Sequence, residues 1–242
     1  MWSTLSIDHG MKLTVLLLLI ASAAFAVTIG TPAAPLPLNA GTGLNASFYS
    51  LSVFAPTVAE NDAAIASLSP TATFRVLNPV FPPSGSAVGD GISVADFVGT
   101  NGTDFAGSTA TQINRSYFVI SGFLRVLTPG EINFELNSDD GSILSIDGTT
   151  VVNNDGNHSL NALTGVATFT VAGLYPVLLR YFENDGVSAM VLRADLAGGT
   201  AFSDIPTASL YTSIPNAAVP EPATFSLAGI VILALAFRKS RS

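Results

Sequence analysis

Between residues 43 and 211 the apolar residues recur at every second position in short runs, and the runs are broken by Asn-Gly, Asp-Gly and Pro signals. A period of two puts alternate side chains on opposite faces of an extended strand and does not fit a helix, so it narrows the possible folds sharply. Ile132, Phe134 and Leu136 alternate with Asn133 and Glu135, and Ala167, Phe169 and Val171 alternate with Thr168 and Thr170. Residues 175–182 and 188–194 are further runs rich in Val, Leu and aromatics. Turns are expected at Asn101-Gly102, Asp140-Gly141, Asp147-Gly148, Asp155-Gly156 and Asp185-Gly186, pairs that tolerate φ > 0. Many short strands closely spaced by such turns predict an all-β chain folded as a β-sandwich. Only residues 61–68 read as weakly helical.

Composition excludes several functions. Charged residues make up 11% of the chain, against about 25% in ordinary soluble domains. The exposed faces must therefore be built from Ser, Thr, Asn and Gly, as suits an extracellular β-protein. Between residues 27 and 222 there are five Arg, no Lys and sixteen Asp or Glu, a net charge of −11. No nucleic-acid partner is expected, because phosphate binding needs a basic face; cations suit this surface better. The absence of cysteine rules out disulfides, thiolate metal sites and a Cys nucleophile. There is no HExxH, no G-x-S-x-G and no Gly-rich phosphate loop. His158 is the one histidine beyond the N-terminal segment and has no nucleophile beside it in sequence. The chain is expected not to be an enzyme.

The two ends read as addresses. Met11 and Lys12 precede an aliphatic run through Ile20, and small residues follow at Ala24-Phe25-Ala26. Residues 1–26 are thus expected to be a signal peptide cleaved after Ala26, with Met11 a candidate start. Residues 27–42, with Pro32, Pro35 and Pro37, are expected to form a flexible leader, and residues 43–211 the sandwich. A linker over 212–222 contains Pro220-Glu221-Pro222. It leads into an apolar helix over 223–237 and a basic tail over 238–242 with Arg238, Lys239 and Arg241. Fifteen residues make roughly 22 Å of helix, short of the roughly 30 Å hydrocarbon core. The basic tail would stay cytoplasmic and leave the body outside.

This ordered arrangement of triplet, apolar segment and Arg-containing cluster closely resembles the PEP-CTERM sorting tail. The resemblance implies recognition through Pro220, Glu221, Pro222, Arg238 and Arg241 by an exosortase, a membrane-embedded processing enzyme. It also implies a Gram-negative host that makes exopolysaccharide or biofilm matrix. The precursor would be tethered in the inner membrane through the C-terminal helix, and the product would lie at the cell surface or in the matrix.

The body is similar to the PA14 domain. The resemblance is carried by residues 43–49, by the run from Phe134 through Asp139-Asp140-Gly141 and Asp147-Gly148 to His158, and by the later runs over 173–183 and 189–193. Residues 55–91 match poorly, and Arg193-Ala194 stand where many members end a strand in Trp. The resemblance implies a β-sandwich that binds glycan. In its sugar-binding members an Asp pair and a loop Asn hold Ca²⁺, which implies Asp139, Asp140 and Asn184 as ligands here, with Asp185 a substitute.

The residues alone leave two readings of the pair. Adjacent carboxylates repel, and a hard cation with oxygen ligands holds them together; equally, Asp139 can cap a turn and Asp140-Gly141 make a hairpin with no ligand. Neighbours on one strand point to opposite faces, which is the wrong arrangement for a glycosidase pair. Two functions remain: a glycan-binding surface or matrix protein, with Ca²⁺ as a possible cofactor, and a structural spacer with no small ligand.

Overall fold

The computed structural model describes residues 26–215. In chain order its first strands are β1 (Val27–Ile29), β2 (Leu44–Ser50), β3 (Ala72–Val76), β4 (Val80–Phe81), β5 (Val88–Gly89) and β6 (Gly102–Gly107). The long central strands follow: β7 (Ser116–Val126), β8 (Gly130–Asp139), β9 (Ser142–Ile146), β10 (Thr149–Asn154), β11 (Asn161–Phe169), β12 (Gly173–Glu183) and β13 (Val187–Asp195). The short strands β14 (Ser203–Asp204) and β15 (Leu210–Tyr211) close the series. Two short helices, α1 (Val58–Ile65) and α2 (Val94–Val98), sit between early strands.

The strands form two sheets, as the alternation predicted. One runs β1-β11-β8-β13-β14, with β4 and β5 also on β13; the other runs β10-β9-β12-β7-β2-β3-β6, with β15 on β7. In β8, Ile132, Phe134 and Leu136 are buried while Asn133 and Glu135 are not. The inward faces meet in one core whose aromatic centre is Phe48, Phe81, Phe97, Phe118 and Tyr181, with neighbouring rings 5.0 to 6.2 Å apart.

Asp147-Gly148 makes the predicted hairpin between β9 and β10, both residues at positive φ (50° and 73°). Asp140-Gly141 does not. β8 lies in one sheet and β9 in the other, so this pair carries the chain across the sandwich. Glycine is required at 141 because a Cβ there would run into the Phe182 ring and stand 2.7 Å from the Gly156 carbonyl oxygen. The loop from β10 to β11, residues 155–160, crosses between the sheets in the same way.

Two further expectations change. The leader is pinned rather than flexible. β1 pairs in parallel with β11, Ala33 N donates to Leu174 O at 2.9 Å, and the Tyr211 hydroxyl donates to Asn39 O at 2.6 Å. The physical reason is that β11 would otherwise be an open edge, and Ile29 is buried beneath its cover. The helix starts three residues before its expected position because Thr57 caps it: its Oγ1 accepts from Glu60 N at 3.3 Å and donates to Glu60 Oε2 at 2.8 Å. No helix among the described residues is long and apolar enough to cross a membrane. The expected signal peptide up to residue 25, the sorting triplet, the apolar helix and the basic tail lie outside the described residues.

Candidate metal centre

Asp139 and Asp140 lie where β8 ends and the chain crosses to β9, and Glu183 and Asn184 lie where β12 ends. Register brings these ends together, since β8 pairs with β13 directly across Asp139 and Ala189. Carboxylate oxygens of Asp139, Asp140 and Glu183 lie within 4.8 Å of one another, and all three residues are buried. The expectation that neighbouring Asp side chains face opposite ways is corrected. Alternation holds only inside a strand, and β8 stops at Asp139. The peptide bond joining the two residues is cis, and both carboxylates face the same pocket.

Each Asp carboxylate is braced by backbone donors from the loops. Asp140 Oδ1 accepts from His158 N at 3.0 Å and its Oδ2 from Asn184 N at 3.0 Å. Asp139 Oδ2 accepts from Leu160 N at 2.9 Å. The core supplies the support below: the Tyr181 hydroxyl leaves the aromatic cluster and lies 2.7 Å from Asp139 O, to which it donates, and 3.0 Å from Glu183 Oε2. The Ser188 hydroxyl is buried beside the Glu183 carboxyl and stabilises its charged form as a hydrogen-bonding neighbour.

Burial is the main influence on the charges here. It raises the Asp140 carboxyl against the opposing backbone hydrogen bonds from Asn184 and His158, and it raises Asp139, with the Asp140 charge adding to it. Burial, again with Asp140 adding, pushes Glu183 up to about 8 against the Ser188 and Tyr181 hydrogen bonds. With no cation to balance it, the pocket therefore holds Glu183 protonated at neutral pH.

Asn184 meets the pair through its backbone N–H rather than through a side-chain oxygen as a ligand would; its side-chain nitrogen donates to Asn157 Oδ1 at 2.8 Å. In that sense the Asn157 oxygen faces both oxygens of Asp140. Turned over, the Asn157 nitrogen would stand 3.3 Å from Oδ2 and 3.2 Å from Oδ1 and donate to both. Asp185 is exposed and sits 3.7 Å from Arg115, away from the cluster. His158 contributes its backbone; its ring nitrogens lie 2.9 and 3.0 Å from the Ser159 and Asn154 carbonyl oxygens and are engaged locally. Sequence reasoning missed Glu183 and Asn157. A lone Glu at a strand end carries no local signal, though its place beside Asn184 in the same loop was visible.

The donor set is all oxygen and three buried carboxylates converge, so the residues fit a hard cation such as Ca²⁺. Fold and site together define a loop-end carboxylate pocket on a two-sheet sandwich. Residues 93–206 match the PA14 domain and residues 218–242 match the PEP-CTERM protein-sorting motif. The chain carries a PA14 domain and ends in a PEP-CTERM sorting tail. The poorly matched stretch before residue 93 holds α1 and β3 to β5.

Among solved structures, the PA14 domain of the MpAFP antifreeze protein aligns with a TM-score of 0.65 at 18% identity, covering 76% of this chain and 97% of that one. A PA14 sugar-binding domain from an RTX adhesin aligns at 0.60 and 22% identity, covering 72% and 99%. The A domain of a subtype-switched epithelial adhesin 9 from Candida glabrata, in complex with β-lactose, aligns at 0.53 and 11% identity, covering 79% and 97%. At these identities the likeness is one of fold. No curated protein matches the chain.

Proposed function

We propose that this is an exported surface or matrix protein whose PA14 domain binds glycan through a Ca²⁺ ion held by Asp139, Asp140 and the Asn184 loop, and that it is not an enzyme. The observation that carries this reading is the meeting of three buried carboxylates within 4.8 Å of one another. Glu183 and Asn157 complete the oxygen-rich pocket. When bound, the ion supplies positive charge and open coordination positions for sugar hydroxyls. Asp139 and Asp140 orient it, while their bonds to Leu160, His158 and Asn184 fix the surrounding loops. The RTX adhesin and epithelial adhesin domains, described as sugar-binding and lactose-bound, support the ligand class. The PEP-CTERM tail supports export, processing by an exosortase at Pro220, Glu221 and Pro222 with Arg238 and Arg241, and a transient inner-membrane tether through residues 223–237 in a Gram-negative host.

One observation favours the structural spacer instead: the Asp139 and Asp140 carboxylates are engaged in bracing three loop N–H groups. A glycan array probed with the full-length protein in millimolar calcium and again in EDTA separates the two. Calcium-dependent retention on defined glycans is the expected result, and no retention in either buffer would favour the spacer.

A further inference from the structure

The outer face of the second sheet carries an open cavity of about 470 Å³ that shares no residue with the carboxylate pocket; Asn45, Ser47, Thr73, Arg75, Asp104 and Thr212 line it. Strand alternation builds it. Leu44, Ala46 and Phe48 on β2 and Ala72, Phe74 and Val76 on β3 fill the core, so Asn45, Ser47, Thr73 and Arg75 face outward. Antiparallel register sets them in two cross-strand pairs, Asn45 opposite Arg75 and Ser47 opposite Thr73.

The neighbouring strand completes the wall. β6 carries one extra residue opposite Phe74, where the pairing shifts from Thr73↔Ala106 to Arg75↔Thr103. Such a bulge re-aims a side chain, and here Asp104, held at φ 56°, forms an ion pair with Arg75. On the remaining side the Thr212 carbonyl oxygen accepts from the Asn45 amide at 2.9 Å.

The lining decides the ligand. Sites for drug-like molecules are mostly apolar, whereas these six side chains are all polar and offer both donors and acceptors. Arg75 Nε is buried with no hydrogen-bond partner, so one donor awaits an acceptor. Sugar hydroxyls, which donate and accept at once, match such a mixed set. Asp104 already balances the Arg75 charge, so an anionic ligand would add uncompensated charge to a body that carries −11 between residues 27 and 222. We infer that this face is a second glycan site, independent of any cation, that takes a neutral oligosaccharide between Arg75, Asp104 and the Asn45, Ser47, Thr73 and Thr212 rim. It extends the proposed glycan binding to a separate surface and stands or falls apart from the carboxylate pocket.

The test is an array of neutral and uronate-containing oligosaccharides probed in EDTA with the full-length wild type, Asp140→Ala, Asp104→Asn and Thr73→Trp, with titration of the oligosaccharides retained. Wild type and Asp140→Ala should retain the same neutral oligosaccharides. Thr73→Trp fills the cavity from an exposed strand position and should abolish retention, and Asp104→Asn should weaken it about fivefold to tenfold. Both variants should keep the wild-type melting temperature, because both positions are exposed and an exposed ion pair adds little stability. No retention in EDTA, or retention that Thr73→Trp leaves unchanged, would overturn this site. Preference for uronates would overturn the assigned ligand class. Retention gained only on deletion of residues 216–242 would assign the cavity to the chain's own tail and overturn the glycan reading. Retention in calcium alone would overturn this site and leave the carboxylate pocket standing, and equal retention in EDTA and calcium would do the reverse.

Discussion

Glu183 is completely buried beside two other carboxylates, and its proton therefore ties the stability of the domain to pH. Its folded pKa, about 8, lies above the value of 4.5 for a free Glu. The folded state then binds more protons than the unfolded one between these values, so without a cation stability is full below about 4.5 and falls as pH rises toward 8. One such proton gives a slope of up to about 1.4 kcal/mol per pH unit. The raised Asp139 and Asp140 carboxyls act in the same direction at lower pH. Denaturant unfolding in EDTA across pH 5 to 8 should show the decline, and Glu183→Gln should flatten it; a wild-type profile that rises with pH would contradict the buried proton. Asp139 and Asp140 were legible in sequence because two adjacent acids are a local signal. Glu183 was not, because the register of β8, β12 and β13 decides which carboxylate meets them.

Strands fared better than their connections. The alternation in β8 and the Asp147-Gly148 hairpin were legible because side-chain period and φ > 0 are properties of neighbouring residues. Asp140-Gly141 looked the same in sequence, yet it crosses between sheets; turn chemistry says that the chain bends and not which sheet the next strand joins. Likewise the prolines of the leader read as a flexible segment and did not announce that it would cover the β11 edge. That cover gives a test. Ile29→Ala removes a buried side chain from the first strand, so stability should fall by about 2–5 kcal/mol if β1 is part of the cooperative fold. A change below about 0.5 kcal/mol in urea unfolding, the size of an ordinary surface substitution, would mean that the leader is detached.

The whole chain joins an acidic, uncharged-polar sandwich to a sorting tail, and the two parts make separable predictions. Glu221→Ala, or deletion of residues 238–242, should leave export intact and stop C-terminal processing. Mass spectrometry of the secreted wild-type protein should find residues 223–237 removed, and their retention would contradict sorting by the tail. The proposed cation site at Asp139 and Asp140 is addressed most directly by thermal melts of the wild type and Asp140→Ala, each in EDTA and in millimolar calcium. Calcium at 100 times its Kd should add about 2.7 kcal/mol to the folded state, which at roughly 2–4 °C per kcal/mol raises the wild-type Tm by several degrees. Asp140→Ala should lose that rise, and it should melt lower than wild type in EDTA as well, because the His158 and Asn184 N–H groups lose their acceptor. Superimposable wild-type curves in calcium and EDTA would contradict the cation site and leave Asp139 and Asp140 as loop braces.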